Sequence, residues 1–300
     1  MTSDPTHPLT MLVCLAHPDD ETFGMGGTLA HYTRRGVQVH LVCGTRGEVG
    51  EMTPDLMEGY NSIGERRESE LRCAAGILGL TGVHFLGYRD SGMPGTPDNQ
   101  HPNALAAQPV NEVAEKVVHY IRQLRPQVVV THDPIGGYKH PDHIAMHRAT
   151  RRGFELAADP RYITDLPPFL PDKLYYQTMP KALIRWAVRI APFIGMDAHH
   201  FGRNKDIDLA TLVAEGDFPT HAHINCRSAS EIRDEATACH SSQLGGAIGR
   251  KGPMGFLRRT FGSTETFMRA VPPPEKGLHE RDLFEGVKSK GLPQPSGKRK

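Results

Sequence analysis

Apolar and polar positions fall into alternating blocks along the first half of the chain. Four short apolar runs read as strands: Met11–Leu15, Val37–Cys43, Val83–Leu86 and Gln127–Thr131. Between and after them the apolar residues recur at helical spacing. Gly24–Arg35 turns Leu29, Ala30 and Tyr32 inward and stops at Gly36. Gly64–Leu80 does the same with Leu71, Ala74, Ala75 and Leu78. Val110–Leu124 places Val113, Val117, Tyr120, Ile121 and Leu124 on one face, and a fourth helix runs from His143 to about Ala157.

This βαβαβαβα order predicts a parallel sheet wound on both faces, a Rossmann-like three-layer α/β fold. The second half is less regular. It predicts a strand at Lys173–Gln177, a basic helix at Lys181–Ile190, a strand at His221–Cys226 and a helix at Ser230–His240. The Gly- and Arg-rich stretch 245–262 reads as mobile, and the Pro/Lys-rich stretch from Val271 as a partly disordered tail. The expected organisation is a catalytic core over 1–178, a mixed α/β part over 179–270 that completes the same domain and its pocket, and a tail over 271–300.

In a doubly wound sheet, ligands bind beyond the carboxyl ends of the strands. Each predicted strand of the first half is followed there by a polar cluster: His17–Glu21, Arg46-Gly47-Glu48, Tyr88-Arg89-Asp90 and Tyr138–His143. Two of these, Ala16-His17-Pro18-Asp19-Asp20-Glu21 and Tyr138-Lys139-His140-Pro141-Asp142-His143, combine imidazoles and carboxylates beside a proline. His17, Asp20 and His143 offer two nitrogens and one oxygen and leave open positions, as a catalytic Zn2+ site requires; the same set suits Fe2+. Asp19 stands beside that set as a candidate general base. His140 is a candidate for holding an oxyanion or protonating a leaving nitrogen. Tyr138, after Gly136-Gly137, either reaches the oxyanion or walls the pocket. Asp142 either orients a neighbouring histidine or caps the helix that follows.

Composition narrows the classes. The formal net charge of +1 over 300 residues offers no field for nucleic acid, and no apolar run is long enough to cross a membrane. The first ten residues lack the plan of a signal peptide, so a cytoplasmic setting is expected. In that setting the five cysteines, Cys14, Cys43, Cys73, Cys226 and Cys239, read as reduced core thiols. A homo-oligomer is compatible with this composition.

The motifs Ala16–Glu21, Arg66-Arg67-Glu68-Ser69-Glu70-Leu71, Tyr88-Arg89-Asp90-Ser91-Gly92-Met93 and Gly136–His143 resemble the LmbE/PIG-L family of metal-dependent N-acetylglucosaminyl deacetylases, among them the bacterial enzymes of low-molecular-weight thiol metabolism. The resemblance is strong over residues 10–150. A late element, His240-Ser241-Ser242-Gln243, extends it. It implies that His17, Asp20 and His143 ligate the metal, that Asp19 is the base, that His140 is the electrostatic catalyst and acid, and that Tyr138 closes on the oxyanion. It implies that Arg67 and Asp90 hold sugar hydroxyls, and Glu48 joins them as a candidate substrate contact. The implied substrate is a small amino-sugar compound, N-acetylglucosaminyl-inositol or N-acetylglucosaminyl-malate in type.

Three other readings compete. An amidase acting on a thiol S-conjugate would use the same catalytic parts, although Gly24 stands where that branch tends to carry a lysine. A nucleotide-binding oxidoreductase would use Gly24, Gly26 and Gly27, with Glu48 on a ribose. Those glycines stand eight or more residues beyond the strand, so close helix–sheet packing is the better expectation. A non-catalytic sugar-binding module would not need Asp19 or His140.

Overall fold

Every position of the first strand, β1 (Thr10–Leu15), is buried, as befits a strand covered on both faces. In the computed structural model, residues 8–178, 209–214, 217–243 and 263–287 are described, with a few positions between 185 and 197. Six further strands join β1: β2 (Gln38–Cys43), β3 (Gly82–Phe85), β4 (Val128–Thr131), β5 (Lys173–Thr178), β6 (Ala222–Asn225) and β7 (Thr264–Val271). They form one sheet in the order β3-β2-β1-β4-β5-β7-β6. The first five strands are parallel, and β7 runs antiparallel to both β5 and β6.

Helices α1 (Asp20–Thr33), α2 (Ile63–Leu78), α3 (Val110–Leu124), α4 (Gly136–Lys139), α5 (Pro141–Ala158), α6 (Leu209–Ala214) and α7 (Ser230–Cys239), with four single-turn 3-10 helices in the loops, complete the described elements. Alternate side chains of the strands feed two cores. On one face Val13, Val39 and Leu41 meet Leu29, Tyr32, Leu71, Leu78 and Ala236. On the other Leu12, Cys14 and Val129 meet Val113, Val117, Ile121, Met146 and Phe154. Each such side chain stabilises the fold by about 1.5–3 kcal/mol relative to exposure. Among the described residues no helix is long and apolar enough to span a membrane.

Two helices begin earlier than apolar spacing predicts, for local reasons. The N–H groups of Thr22 and Phe23 donate to Asp19 O at 3.1 and 3.0 Å, so α1 starts inside the first motif. In the second motif Pro141 fits the first turn of α5, where no N–H is needed. The His140 ring caps that helix, its Nδ1 accepting the Asp142 N–H at 3.2 Å. Gly26 and Gly27 serve packing, as expected. A Cβ on Gly27 would stand 2.6 Å from Cys226 Cβ, and one on Gly26 3.1 Å from Arg233 Cγ.

Three features depart from the pattern-based expectations. Strand β7 opens with polar residues and gives no clear alternation. It is held because Glu265 accepts the N–H groups of Gly27 and Thr28 at 3.0 and 2.6 Å. Residues 272–287, expected within the tail, fold back on the sheet: Leu283 is fully buried, and Glu280 accepts from Lys173 Nζ at 2.7 Å and Arg269 Nη1 at 2.9 Å. The third concerns the cysteines. Cys14, Cys43 and Cys226 are free and buried, but Cys73 and Cys239 form a disulfide rather than two reduced thiols. Helices α2 and α7 lie side by side with these two Cα atoms 5.9 Å apart, a separation a disulfide spans. Most of the basic helix expected over 181–190, and the stretches 245–262 and 291–300, lie outside the described residues.

Candidate active site

Strands β1 and β4 are neighbours, and their connections leave toward opposite faces of the sheet. The crevice at their carboxyl ends is the topological switch point. The first motif leaves β1 there, and His132 and the second motif leave β4.

His17, Asp20 and His143 converge. His17 Nδ1 lies 3.2 Å from His143 Nε2. Asp20 Oδ2 is 3.7 Å from His17 Nδ1, and Asp20 Oδ1 is 3.3 Å from His143 Nε2. Donors about 2.0–2.1 Å from a tetrahedral ion stand roughly 3.3–3.4 Å from one another; the three residues meet at such distances, with the two Asp20 oxygens facing different rings. Two further observations support the fit. His17 Nε2 faces Asp142 Oδ2 at 3.1 Å, the carboxylate–histidine arrangement that frees the other ring nitrogen for a metal. The pocket also holds excess negative charge: against the opposing effect of burial, Asp90, Asp142 and Asp20 raise the His17 ring well above its usual pKa. Burial would raise Asp20, yet His143 and His132 hold it well below the carboxylate range.

The donor groups close enough to share one ion are His17 with His140 and His143, Asp20 with His132 and His143, and His17 with Asp90 and Asp142, so the expected three ligands are spread over overlapping groups. His132 stacks on His143, centroids 3.9 Å apart, and its Nε2 accepts the Ala16 N–H at 3.1 Å. The apolar pattern assigned His132 no role. Its place as the residue after β4, matching that of the first motif after β1, was the available signal.

Asp19 turns away from Asp20. Its Oδ2 accepts from Arg67 Nη2 at 3.1 Å. Burial pushes its carboxyl up to about 6, even though Arg67 favours the charged form. Arg67 also donates to Pro18 O at 2.7 Å and Gly47 O at 3.1 Å, tying α2 to the first two loops. It does not pair with Glu70, which is held instead by Arg66, Ser241 and Ser242. Asp90 accepts the Gly92 N–H at 2.9 Å and stands 3.6 Å from His17 Nε2. Glu48 accepts the Asp90 N–H at 3.0 Å, which fixes the third loop against the second. Asp142 does not act as the α5 cap. It takes the Ser91 N–H at 2.9 Å and the Ser91 hydroxyl while it faces His17.

The His140 ring is held neutral. Burial lowers its pKa well below the usual histidine value, and the neighbouring His17 and His143 rings lower it further. With Nδ1 spent on the Asp142 N–H, the proton sits on Nε2, which makes the ring a hydrogen-bond donor. Tyr138 lies half-buried edge-on to His140 and His143, with centroids 5.9 and 5.2 Å apart. Its backbone follows Gly136 and Gly137, both at φ 68°.

A two-sided α/β sheet with an imidazole–carboxylate cluster able to hold a metal ion at its switch point is the architecture the chain presents. The comparisons make that specific. The family profile "PIG-L: GlcNAc-PI de-N-acetylase" matches residues 12–154. The chain is 35% identical over 293 residues to "1D-myo-inositol 2-acetamido-2-deoxy-alpha-D-glucopyranoside deacetylase" of Acidothermus cellulolyticus, covering 93% of this chain and 95% of that one. It is 37% identical over 244 residues to the protein of the same name from Geodermatophilus obscurus, covering 78% and 82%. The chain therefore belongs to the PIG-L (LmbE) family. The fold also matches N,N'-diacetylchitobiose deacetylase from Pyrococcus horikoshii, with TM-score 0.60 and 21% identity over 89% of this chain and 87% of that one.

Proposed function

We propose that this protein is a metal-dependent deacetylase that hydrolyses the acetamide of an N-acetylglucosaminyl-inositol, releasing acetate and a free amine. The observation that carries the reading is the gathering of these groups in one crevice. His17, Asp20 and His143 approach one another within 3.2–3.7 Å, Asp19 is held beside them by Arg67, and His140, which lies with His17 and His143, turns its Nδ1 to the Asp142 N–H. The inositol-linked substrate rests on the names of relatives that match nearly the whole chain.

A divalent cation held by His17, Asp20 and His143, Zn2+ or Fe2+, would polarise the acyl oxygen and acidify a water. Asp19 takes a proton from the water that attacks the acyl carbon. A carboxyl poised near 6 is a competent base at neutral pH, and can return the proton to the departing nitrogen. His140 presents its Nε2–H to the developing oxyanion, and Tyr138, edge-on to His140, joins it. Arg67 keeps Asp19 oriented. Together with Asp90 and Glu48 it borders the space for the sugar. The setting proposed is the cytoplasm, where the Cys73–Cys239 bond would be an exception among otherwise reduced thiols, with the substrate as the small-molecule partner.

The test is acetate release from N-acetylglucosaminyl-inositol by protein reconstituted with about one Zn2+ per chain. The N-acetylglucosaminyl-malate compound and a thiol S-conjugate run beside it. Asp19→Asn is expected to keep the metal and lose about 10²–10⁴ in kcat. Full turnover by metal-free protein would overturn the reading, and preferred cleavage of the S-conjugate would favour the amidase.

A further inference from the structure

Asp19 adopts φ 114° with ψ −28°, a left-handed backbone that non-glycine residues enter only under constraint. Its side chain is steadied by Arg67, which also donates to Pro18 O on the far side of the same peptide bond, while its carbonyl accepts from Thr22 and Phe23. The N–H of Asp19 donates to Glu21 Oε2 at 2.9 Å. The other oxygen of the same carboxylate, Glu21 Oε1, lies 2.6 Å from His240 Nε2. Glu21 and His240 are both fully buried. His240 Nδ1 has no hydrogen-bond partner among the described residues, so the polar contact of this ring is directed at Glu21.

His240 is itself anchored. It follows the last residue of α7, Cys239, which is bonded to Cys73 on α2. The next residues are fixed to α2 as well: the N–H and hydroxyl of Ser242 donate to Glu70 at 3.0 and 2.6 Å. A residue 219 positions from Glu21 in sequence thus determines where its carboxylate stands. Neither Glu21 nor His240 is among the residues grouped around the metal position.

We propose that Glu21 and His240 form a positioning pair for Asp19. His240 holds the Glu21 carboxylate, and Glu21 holds the Asp19 N–H so that the backbone stays left-handed and the carboxylate stays aimed into the crevice. The proposal rests on the reading of Asp19 as the base. Its substrate-side consequence is specific: loss of the pair displaces the base without removing metal or substrate contacts. A displacement on the order of 1 Å lowers turnover about a hundredfold.

Four variants test it, each measured for Tm, bound zinc, kcat and KM. His240→Phe keeps the ring shape and removes the donor. His240→Gln restores an N–H near the original Nε2. Glu21→Asp withdraws the carboxylate from the Asp19 N–H. Asp19→Asn reports on the base itself. The expected result is a kcat loss of about tenfold to a hundredfold in His240→Phe and Glu21→Asp, with KM within about threefold and zinc content retained. His240→Gln should recover most of the loss. If phenylalanine at 240 prevents folding, Glu21→Asp gives the same reading, and its crystal structure should show Asp19 out of the left-handed region. Normal kcat in folded His240→Phe or Glu21→Asp, with Asp19→Asn inactive, would overturn the pair alone. Retained turnover in Asp19→Asn would overturn the base assignment beneath it.

Discussion

At the scale of single residues, the site combines groups whose chemistry depends on their neighbours. Asp19 and Asp20 are adjacent and chemically identical, yet one is raised to about 6 by burial while His143 and His132 keep the other ionised despite burial. The base form of Asp19 prevails above its pKa, so kcat/KM should fall about tenfold per pH unit on the acid side of an apparent pKa at or below about 6. A bound cation favours the carboxylate and moves that limb lower. A pH profile that stays flat down to pH 3 would exclude Asp19 as the base. Asp142 acts through His17, so Asp142→Asn should weaken zinc binding about 10- to 100-fold in chelator competition. The meeting of His17, Asp20, His143 and Asp19 in one crevice was legible in the sequence because two short motifs carry them. The Glu21–His240 contact and the Ser91–Asp142 contact were not, since each joins segments whose meeting depends on how the whole sheet closes.

At the scale of elements, the apolar blocks gave the five parallel strands and their helices to within a few residues. The ends differed where local polar contacts decide them, as the His140 ring does for α5. Strand β7 escaped because its pairing on both edges, rather than its own alternation, holds it in the sheet. Another unanticipated contact lies between α3 and α5. Arg122, on α3 and nearly fully buried, donates to the carbonyls of Leu156, Ala157 and Asp159 at the end of α5. It supplies both hydrogen bonds and positive charge where helix carbonyls lack partners. Arg122→Met should lower stability by about 3 kcal/mol in urea unfolding, with KM unchanged. Helix α5 also carries His143, so zinc affinity measured in the same variant reports whether the far end of the helix feels the change.

At the scale of the whole molecule, residues 272–287 return to the sheet. Glu280 sits among Lys173, Arg269 and Tyr175, which fastens residues 272–287 to the sheet. Glu280→Ala leaves two buried cations short of an anion and should destabilise the protein by about 3–5 kcal/mol, read as a lower Tm with and without zinc. The bond between Cys73 and Cys239 has a different kind of consequence. It closes a covalent ring of chain that contains β3, β4 and the His140–His143 motif but leaves β1 and the His17–Asp20 motif outside. A cation shared by His17, Asp20 and His143 would therefore join the ring to the strand outside it, as a second closure independent of the first. Reductant opens one closure and chelator the other. Ring closure of this length is worth about 5 kcal/mol in the chain-entropy account. Either agent alone should lower Tm, and the two together should lower it further than either. A chelator effect that vanishes once the disulfide is reduced would show that the two closures are not independent.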